Sequence, residues 1–157
     1  MHLSEAESLD LLRLAGQIFV PPSVATEAKR YIPAWHTDQP AWIMIAELVE
    51  PNLNEAESWR QSGILDPGEA EALALARQLK ADWFLTDDTA ARVMATSLGV
   101  EVHGSLGLVL WSSAIHLERD EAEKRLDALV ASSLWISASV IAEARSALNR
   151  LFGPARK

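Results

Sequence analysis

The chain has 157 residues, of which 49% are apolar, and it contains no cysteine. This length predicts a single domain over 1–157, because domains cluster at about 100–150 residues. The lack of cysteine excludes disulfides, thiolate metal sites and a cysteine nucleophile, and it favours a cytoplasmic protein. With 22 acidic and 14 basic residues, the net charge of −8 argues against coating nucleic acid through bulk charge. We expect neither a signal peptide nor a membrane span.

The first part of the chain predicts helices on either side of a short strand. Ser4, followed three residues later by Glu7, has the capping-box pattern of a helix start, and Gly16 is typical of a helix end. Apolar runs and turn residues predict the other elements of this part: a strand over 18–20, a helix over 23–30, a loop over 31–40, a strand over 42–45 and a helix over 54–61.

Strands alternate with helices in the rest of the chain. Asp66, Pro67 and Glu69 predict a helix start, with aspartate at the cap and proline in the first turn. The predicted elements are a helix to 79, a strand over 83–86, a helix over 89–98, a strand over 100–103, and helices over 106–116, 120–132 and 138–151. This alternation predicts one α/β domain whose parallel sheet is covered by helices on both faces.

Two adjacent carboxylates, Asp87 and Asp88, follow the predicted strand over 83–86. Ligands bind to open parallel sheets outside the carboxyl ends of the strands. Two neighbouring negative charges repel each other, so solvent, protonation, helix amides or a cation must offset that repulsion. The pair also has a structural interpretation, because Asp88 is a natural N-cap for the helix that follows.

Two glutamates, Glu69 and Glu71, lie on the predicted alanine-rich helix. A spacing of two places them on different sides of a helix, so they cannot point equally into one cleft. Glu69 is also interpretable as the reciprocal half of a capping box with Asp66, and Glu71 as a solvated surface charge. Glu27, near the end of the helix after two prolines, carries a weaker signal in isolation.

The order of two stretches, IFVPPSVATEA and LDPGEAEALALARQLKADWFLTDDTAARVMATSLGVEVHGSLGLVL, resembles the PIN-domain family, in particular its bacterial toxin-like subfamily. The resemblance extends over about residues 3–137, and its most specific part lies between Gly68 and Leu110. It implies a three-layer α/β/α fold with a central parallel sheet. It also implies a ribonuclease in which a few carboxylates hold Mg²⁺ or Mn²⁺.

The resemblance also implies roles for individual residues. It makes Glu27, Glu69 and Asp88 the catalytic residues, with Glu71 as the alternative match to Glu69. The implied metal ligands are Glu27, Glu69, Glu71, Asp87 and Asp88, and the secondary site residues are Thr86 and Ser105. The implied partners are an RNA substrate, a small antitoxin protein and a second copy of the chain.

The sequence departs from the family pattern at its beginning. PIN domains open with a strand that ends in the first catalytic aspartate, whereas here the predicted helix starts at Ser4 and the first aspartate is Asp10. We favour a start at an internal methionine, with an upstream segment missing, over true loss of that strand. The alternative function is a PIN-like module that binds a protein partner without turnover.

The end of the chain is basic, because 144–157 contains four cations and no acid. Contact of Arg145 and Arg150 with an RNA backbone is one interpretation, and a solvated helix end is the other. A phosphoacceptor receiver domain is disfavoured, since its aspartate pair would lie near the amino terminus. The four histidines lack metal-ligand spacing.

Overall fold

Helices with short strands between them make up the structure, a computed structural model that describes residues 1–32, 35 and 40–153. A 3-10 helix covers Leu9–Ala15. The α-helices of the described part are α1 (His2–Glu5), α2 (Pro22–Tyr31), α3 (Asn52–Gln61), α4 (Pro67–Leu79), α5 (Thr89–Ser97), α6 (Ser105–Ile115), α7 (Arg119–Val130) and α8 (Ala138–Phe152). The strands of that part are β1 (Ile18–Val20), β2 (Ile43–Ile45), β3 (Phe84–Leu85) and β4 (Val102–His103).

The described strands form two parallel pairs. In the first pair β1 runs beside β2, and Ile18 lies opposite Ile43. In the second pair β3 runs beside β4, and Phe84 lies opposite Val102. Parallel pairing confirms the predicted α/β class. The described strands are only two or three residues long, and their hydrogen bonds form two separate two-stranded sheets.

The contacts group the chain into two compact units, one of which is formed by 17–104. Its core lies where the alanine-rich α4 packs against α3, β3 and α5. The small alanine side chains of α4 let its neighbours approach closely, while larger side chains fill the remaining space. The buried core residues are Ala56, Trp59, Leu65, Ala70, Leu73, Ala74, Ala76, Phe84, Ala91 and Ala95.

The other unit combines 1–16 with 105–157 and is helical in its described part. Helices α6, α7 and α8 pack against one another, and α1 and the 3-10 helix pack on α7 and α6. Leu108, Leu126 and Leu148, one from each of the three long helices, are fully buried and supply the apolar centre of this unit.

Most predicted elements are found, but the predicted capping box at Ser4 is wrong. Ser4 lies inside the short helix α1, and Glu7 breaks the helix with a φ of 50°. The side chain of Arg125 on α7 holds this break, because it donates hydrogen bonds to the Glu7 carbonyl and to Asp10. This long-range contact decides the local conformation, which helix propensity does not reveal. Gly16 does end the 3-10 helix, with a φ of 107°.

Two further sequence interpretations concern the ends of elements. Most of the predicted loop over 31–40 lies outside the described residues, while its first residue, Tyr31, belongs to α2. Helix α4 starts with proline in the first turn, as predicted, since proline is preorganised for that position, and α2 starts at Pro22, one residue before its predicted start. Within the described ranges, no helix has the length and apolar character needed to cross a bilayer.

Candidate metal-binding site

The amino end of α4 places Glu69 in the first helical turn. Asp66 occupies the N-cap position with extended backbone, but its side chain makes no capping hydrogen bond. The predicted capping box between Asp66 and Glu69 is therefore absent. Both carboxylates are available for other interactions, and Glu69 is half-buried.

Helix α2 packs against α4 and brings Glu27 to this end of the helix. A Cβ added to Gly68 would lie 3.4 Å from Glu27 Oε2 and 3.6 Å from Val24 Cγ2. The absence of a side chain at Gly68 thus leaves space into which the Glu27 carboxylate extends. Residues far apart in the sequence, Glu27 and Glu69, are brought to the same region by this packing.

Asp88 reaches the site from the carboxyl end of β3, where it is the N-cap of α5. Its Oδ1 accepts a hydrogen bond of 2.7 Å from the backbone N–H of Ala91. The backbone N–H of Asp88 in turn donates to the Thr86 hydroxyl at 3.1 Å. The capping interpretation of Asp88 is confirmed, and the exposed carboxylate retains further lone pairs for another ligand.

The pKa of Glu69 responds to its surroundings. Burial raises the pKa of Glu69, a hydrogen bond to its own backbone lowers it, and the negative charges of Asp88, Asp66 and Glu27 raise it. Glu69 thus lies within electrostatic range of three other acids. A bound cation would relieve this repulsion, since it stabilises the ionised form of each carboxylate.

Asp87 faces a different neighbour from Asp88. A Cβ on Gly104, directly after β4, would lie 2.7 Å from Asp87 Oδ1 and 3.0 Å from Arg92 Nη1. Arg92 on α5 also donates a hydrogen bond of 3.2 Å to the Thr86 carbonyl. Gly104 therefore leaves room for the close approach of these side chains at the ends of β3 and β4.

Glu71 is held on another side of α4 from Glu69, as the two-residue spacing predicts. The Ser23 hydroxyl, in the first turn of α2, donates a hydrogen bond to Glu71 Oε2. Glu71 also lies within electrostatic range of Arg60 on α3. The hydrogen bond to Glu57 is the largest cause of the raised pKa of Arg60, and the charge of Glu71 is the smallest. These contacts favour Glu69 over Glu71 as the acid that faces Glu27 and Asp88.

The donor chemistry suits a hard divalent cation, although the carboxylates do not enclose one. In the described residues no three histidine, aspartate or glutamate side chains are arranged to hold one metal ion. Mg²⁺ tolerates this arrangement, because it keeps several of its waters and is commonly bound through one or two carboxylates. One or two of Glu27, Glu69 and Asp88 would hold it.

The remaining predicted residues have structural contacts of their own. Ser105 begins α6 and is buried. Arg145 on α8 pairs with Asp127 at 2.7 Å, and Arg150 is exposed on the same helix. The other two cations of the basic end, at 156 and 157, lie outside the described residues.

Sequence reasoning missed three contributors: Asp66, Ser23 and Arg92. Asp66 was interpreted only as a cap, and Arg92 appeared only as part of a motif. The sequence did contain a signal for Arg92, because a residue four positions after Asp88 lies on the same side of α5 as Asp88. Ser23 gave no signal, because its partner is 48 residues away in the sequence.

A family model described as DUF3368: PIN domain matches residues 1–150. Together with the parallel strand pairs, the helices around them and the acids at the strand end, this match defines a protein with a nuclease-type fold. The chain belongs to the PIN-domain family, as the motifs predicted. Searches of curated proteins and of solved structures gave no significant match.

Proposed function

We propose that the protein is a metal-dependent ribonuclease that hydrolyses RNA phosphodiester bonds. The observation that carries this proposal is the placement of acids near the amino end of α4: the Glu27 carboxylate lies beside Gly68, and the charges of Asp88 and Glu27 add to burial in raising the pKa of Glu69. Membership of the PIN-domain family supports the reaction class. The proposed cofactor is Mg²⁺ or Mn²⁺, both of which prefer oxygen ligands.

The carboxylates differ in the chemistry that they can supply. Burial and neighbouring acids raise the pKa of Glu69, so this carboxylate gains most from a bound cation, which would stabilise its ionised form. The hydrogen bond from the Ala91 N–H to Asp88 Oδ1 fixes the orientation of the Asp88 carboxylate.

A divalent cation at these carboxylates supplies charge compensation for the phosphodiester and lowers the pKa of a coordinated water. The need for that charge is clear from the protein itself, since an unscreened group of carboxylates repels an RNA phosphate. Arg92 and Asp87 both approach the position that a Cβ on Gly104 would occupy. Arg92 is a candidate for contact with the phosphate.

RNA cleavage with a panel of single-stranded and structured substrates tests the proposal. We expect turnover with Mg²⁺ or Mn²⁺ that is abolished by EDTA and reduced at least about 100-fold in Asp88→Asn. Asparagine keeps the N-cap, so a folded but inactive variant separates the site from the helix cap. Asp82→Asn, before β3 and outside the site, is the charge-matched control and should retain activity.

A second function, binding of a protein partner without turnover, is favoured by one observation. The described residues contain no preformed set of three side chains around one metal position. We propose a small antitoxin-like protein as the partner, with a second copy of the chain as a further possibility for assembly. Co-expression with the product of the adjacent gene, followed by purification and mass measurement, tests this function. A stable complex together with inactivity on every RNA would support it over the nuclease.

A further inference from the structure

We propose that the hydrogen bond between Ser23 and Glu71 positions Glu27 in the metal-binding site. The inference rests on the proposed function and assigns to Glu71 a role other than direct metal ligation. Ser23 and Glu71 would be positioning residues, which act through the placement of α2 against α4. Neither side chain needs to touch the cation or the RNA.

The first step of the argument is the geometry of α2. Ser23 and Glu27 are four residues apart, so they lie one turn apart on the same side of this helix. Ser23 donates its hydroxyl to Glu71 on α4. The next turn of the same side places the Glu27 carboxylate beside Gly68, also on α4. The hydrogen bond between Ser23 and Glu71 thus fixes the position of the Glu27 carboxylate beside Gly68.

The second step concerns what else could hold α2 in place. Val24 packs at Gly68, but an apolar contact fixes neither the rotation nor the axial position of a helix as sharply as a directional hydrogen bond. The Ser23 hydroxyl supplies such a directional hydrogen bond from α2 to α4. The other hydroxyl of α2, on Thr26, bonds instead to the Pro22 carbonyl of its own helix.

The third step is the character of the Ser23–Glu71 contact. Both residues are half-buried, and the acceptor is a carboxylate, so the hydrogen bond is of the stronger, charge-assisted kind. Its loss leaves a carboxylate at the helix interface without its hydroxyl donor. We expect α2 to shift against α4 and Glu27 to lose its place beside Gly68, while the apolar core of the unit stays intact.

The experiment is a Mn²⁺ titration, by calorimetry or by electron paramagnetic resonance, of the full chain and four variants. Ser23→Ala and Glu71→Ala should each weaken Mn²⁺ binding about 10-fold or more, as is typical for residues that orient metal ligands. Ser23→Thr keeps the hydroxyl and should retain most of the affinity. Thr26→Ala, which removes a local hydroxyl of the same helix, should bind like the parent.

A double variant separates positioning from general damage. If Ser23 and Glu71 act through one hydrogen bond, Ser23→Ala combined with Glu71→Ala loses little more affinity than either alone. Circular dichroism at the titration temperature verifies that each variant is folded. Parent-like Mn²⁺ binding by a folded Ser23→Ala variant, or additive losses in the double variant, overturns the inference. If the parent itself binds no Mn²⁺, the proposed metal-dependent function fails together with this inference.

Discussion

Two parts of the candidate site are built by different means. Asp88 is placed by local structure, because it follows β3 closely, caps α5 and bonds to residues two and three positions away. Glu27 and Glu69 are placed by tertiary structure, because they meet only where α2 packs on α4. We refer to Asp88 and its cap as the local side of the site, and to Glu27 and Glu69 as the packed side.

The difference teaches which perturbations each side can survive. The local side depends on a turn and a helix cap, whose loss costs about 1 kcal/mol and leaves the core in place. The packed side depends on α4, which is buried along Leu73 to Ala76, and on the contact of α2 with it. Damage to that packing unfolds the unit and separates Glu27 from Glu69.

The largest expected effect comes from the core beneath the packed side. Leu73 is fully buried in α4, so Leu73→Ala should lower the free energy of unfolding by about 2–5 kcal/mol through lost burial and a cavity. Urea denaturation measures the change as a shift of the unfolding transition of the unit formed by 17–104. Leu79→Ala, at the exposed end of the same helix, is the control and should cost less than about 1 kcal/mol. Equal costs for the two variants would contradict the described core.

The next effect distinguishes two glycines, one on each side of the site. Gly104→Ala places a methyl group 2.7 Å from Asp87 Oδ1, so either this carboxylate or the backbone must move, at about 1–3 kcal/mol. Gly68→Ala meets its nearest atom at 3.4 Å and lies within a helix, where alanine is the better residue. Thermal unfolding should therefore show a loss for the first and no loss for the second. A loss of stability for Gly68→Ala but not for Gly104→Ala would contradict the described positions of Glu27 and Asp87.

A smaller effect isolates the cap on the local side. Asp88→Ala should reduce stability by about 1 kcal/mol, because the Ala91 N–H loses its acceptor. Asp88→Asn should leave stability nearly unchanged, since asparagine caps helices as well as aspartate does. Chemical denaturation of both variants compares the two. A loss of the same size in both would mean that charge, not capping, gives Asp88 its structural role.

The smallest expected effect is the pH dependence of the packed side without metal. Burial and neighbouring acids raise the pKa of Glu69 above its unfolded value, so the folded state binds the proton more tightly. Stability from this group is complete below the unfolded pKa and is lost as the pH rises through the folded pKa. Glu69→Gln should therefore raise the melting temperature by roughly 1–3 °C near neutral pH and lose this advantage in acid. Melting curves across that range measure it, and a destabilised variant at neutral pH would contradict the prediction.

The sequence predicted the local side better than the packed side. The strand before Asp87, the cap at Asp88 and the helix that follows depend on short-range patterns, and all were found. The choice between Glu69 and Glu71 stayed open, because helical spacing separates them but does not say which one faces Glu27. That answer depends on the placement of α2, which a hydroxyl 48 residues from Glu71 helps to set.

The start of the chain failed for a similar reason. Ser4 and Glu7 satisfy the pattern of a capping box, yet the helix breaks at Glu7 where Arg125 binds its carbonyl. A contact across more than a hundred residues outweighed a local preference worth about 1 kcal/mol. Local patterns therefore identify elements well, and long-range polar contacts decide how their ends are used.

The most direct test of the central claim is Mn²⁺ affinity in the parent, Glu69→Gln and Asp82→Asn. If Glu27, Glu69 and Asp88 form one cation site, the parent binds a single Mn²⁺ and Glu69→Gln binds it at least about 10-fold more weakly. Asp82→Asn removes the same charge outside the site and should bind like the parent. No Mn²⁺ binding by the parent, or equal binding by all three proteins, would contradict the account.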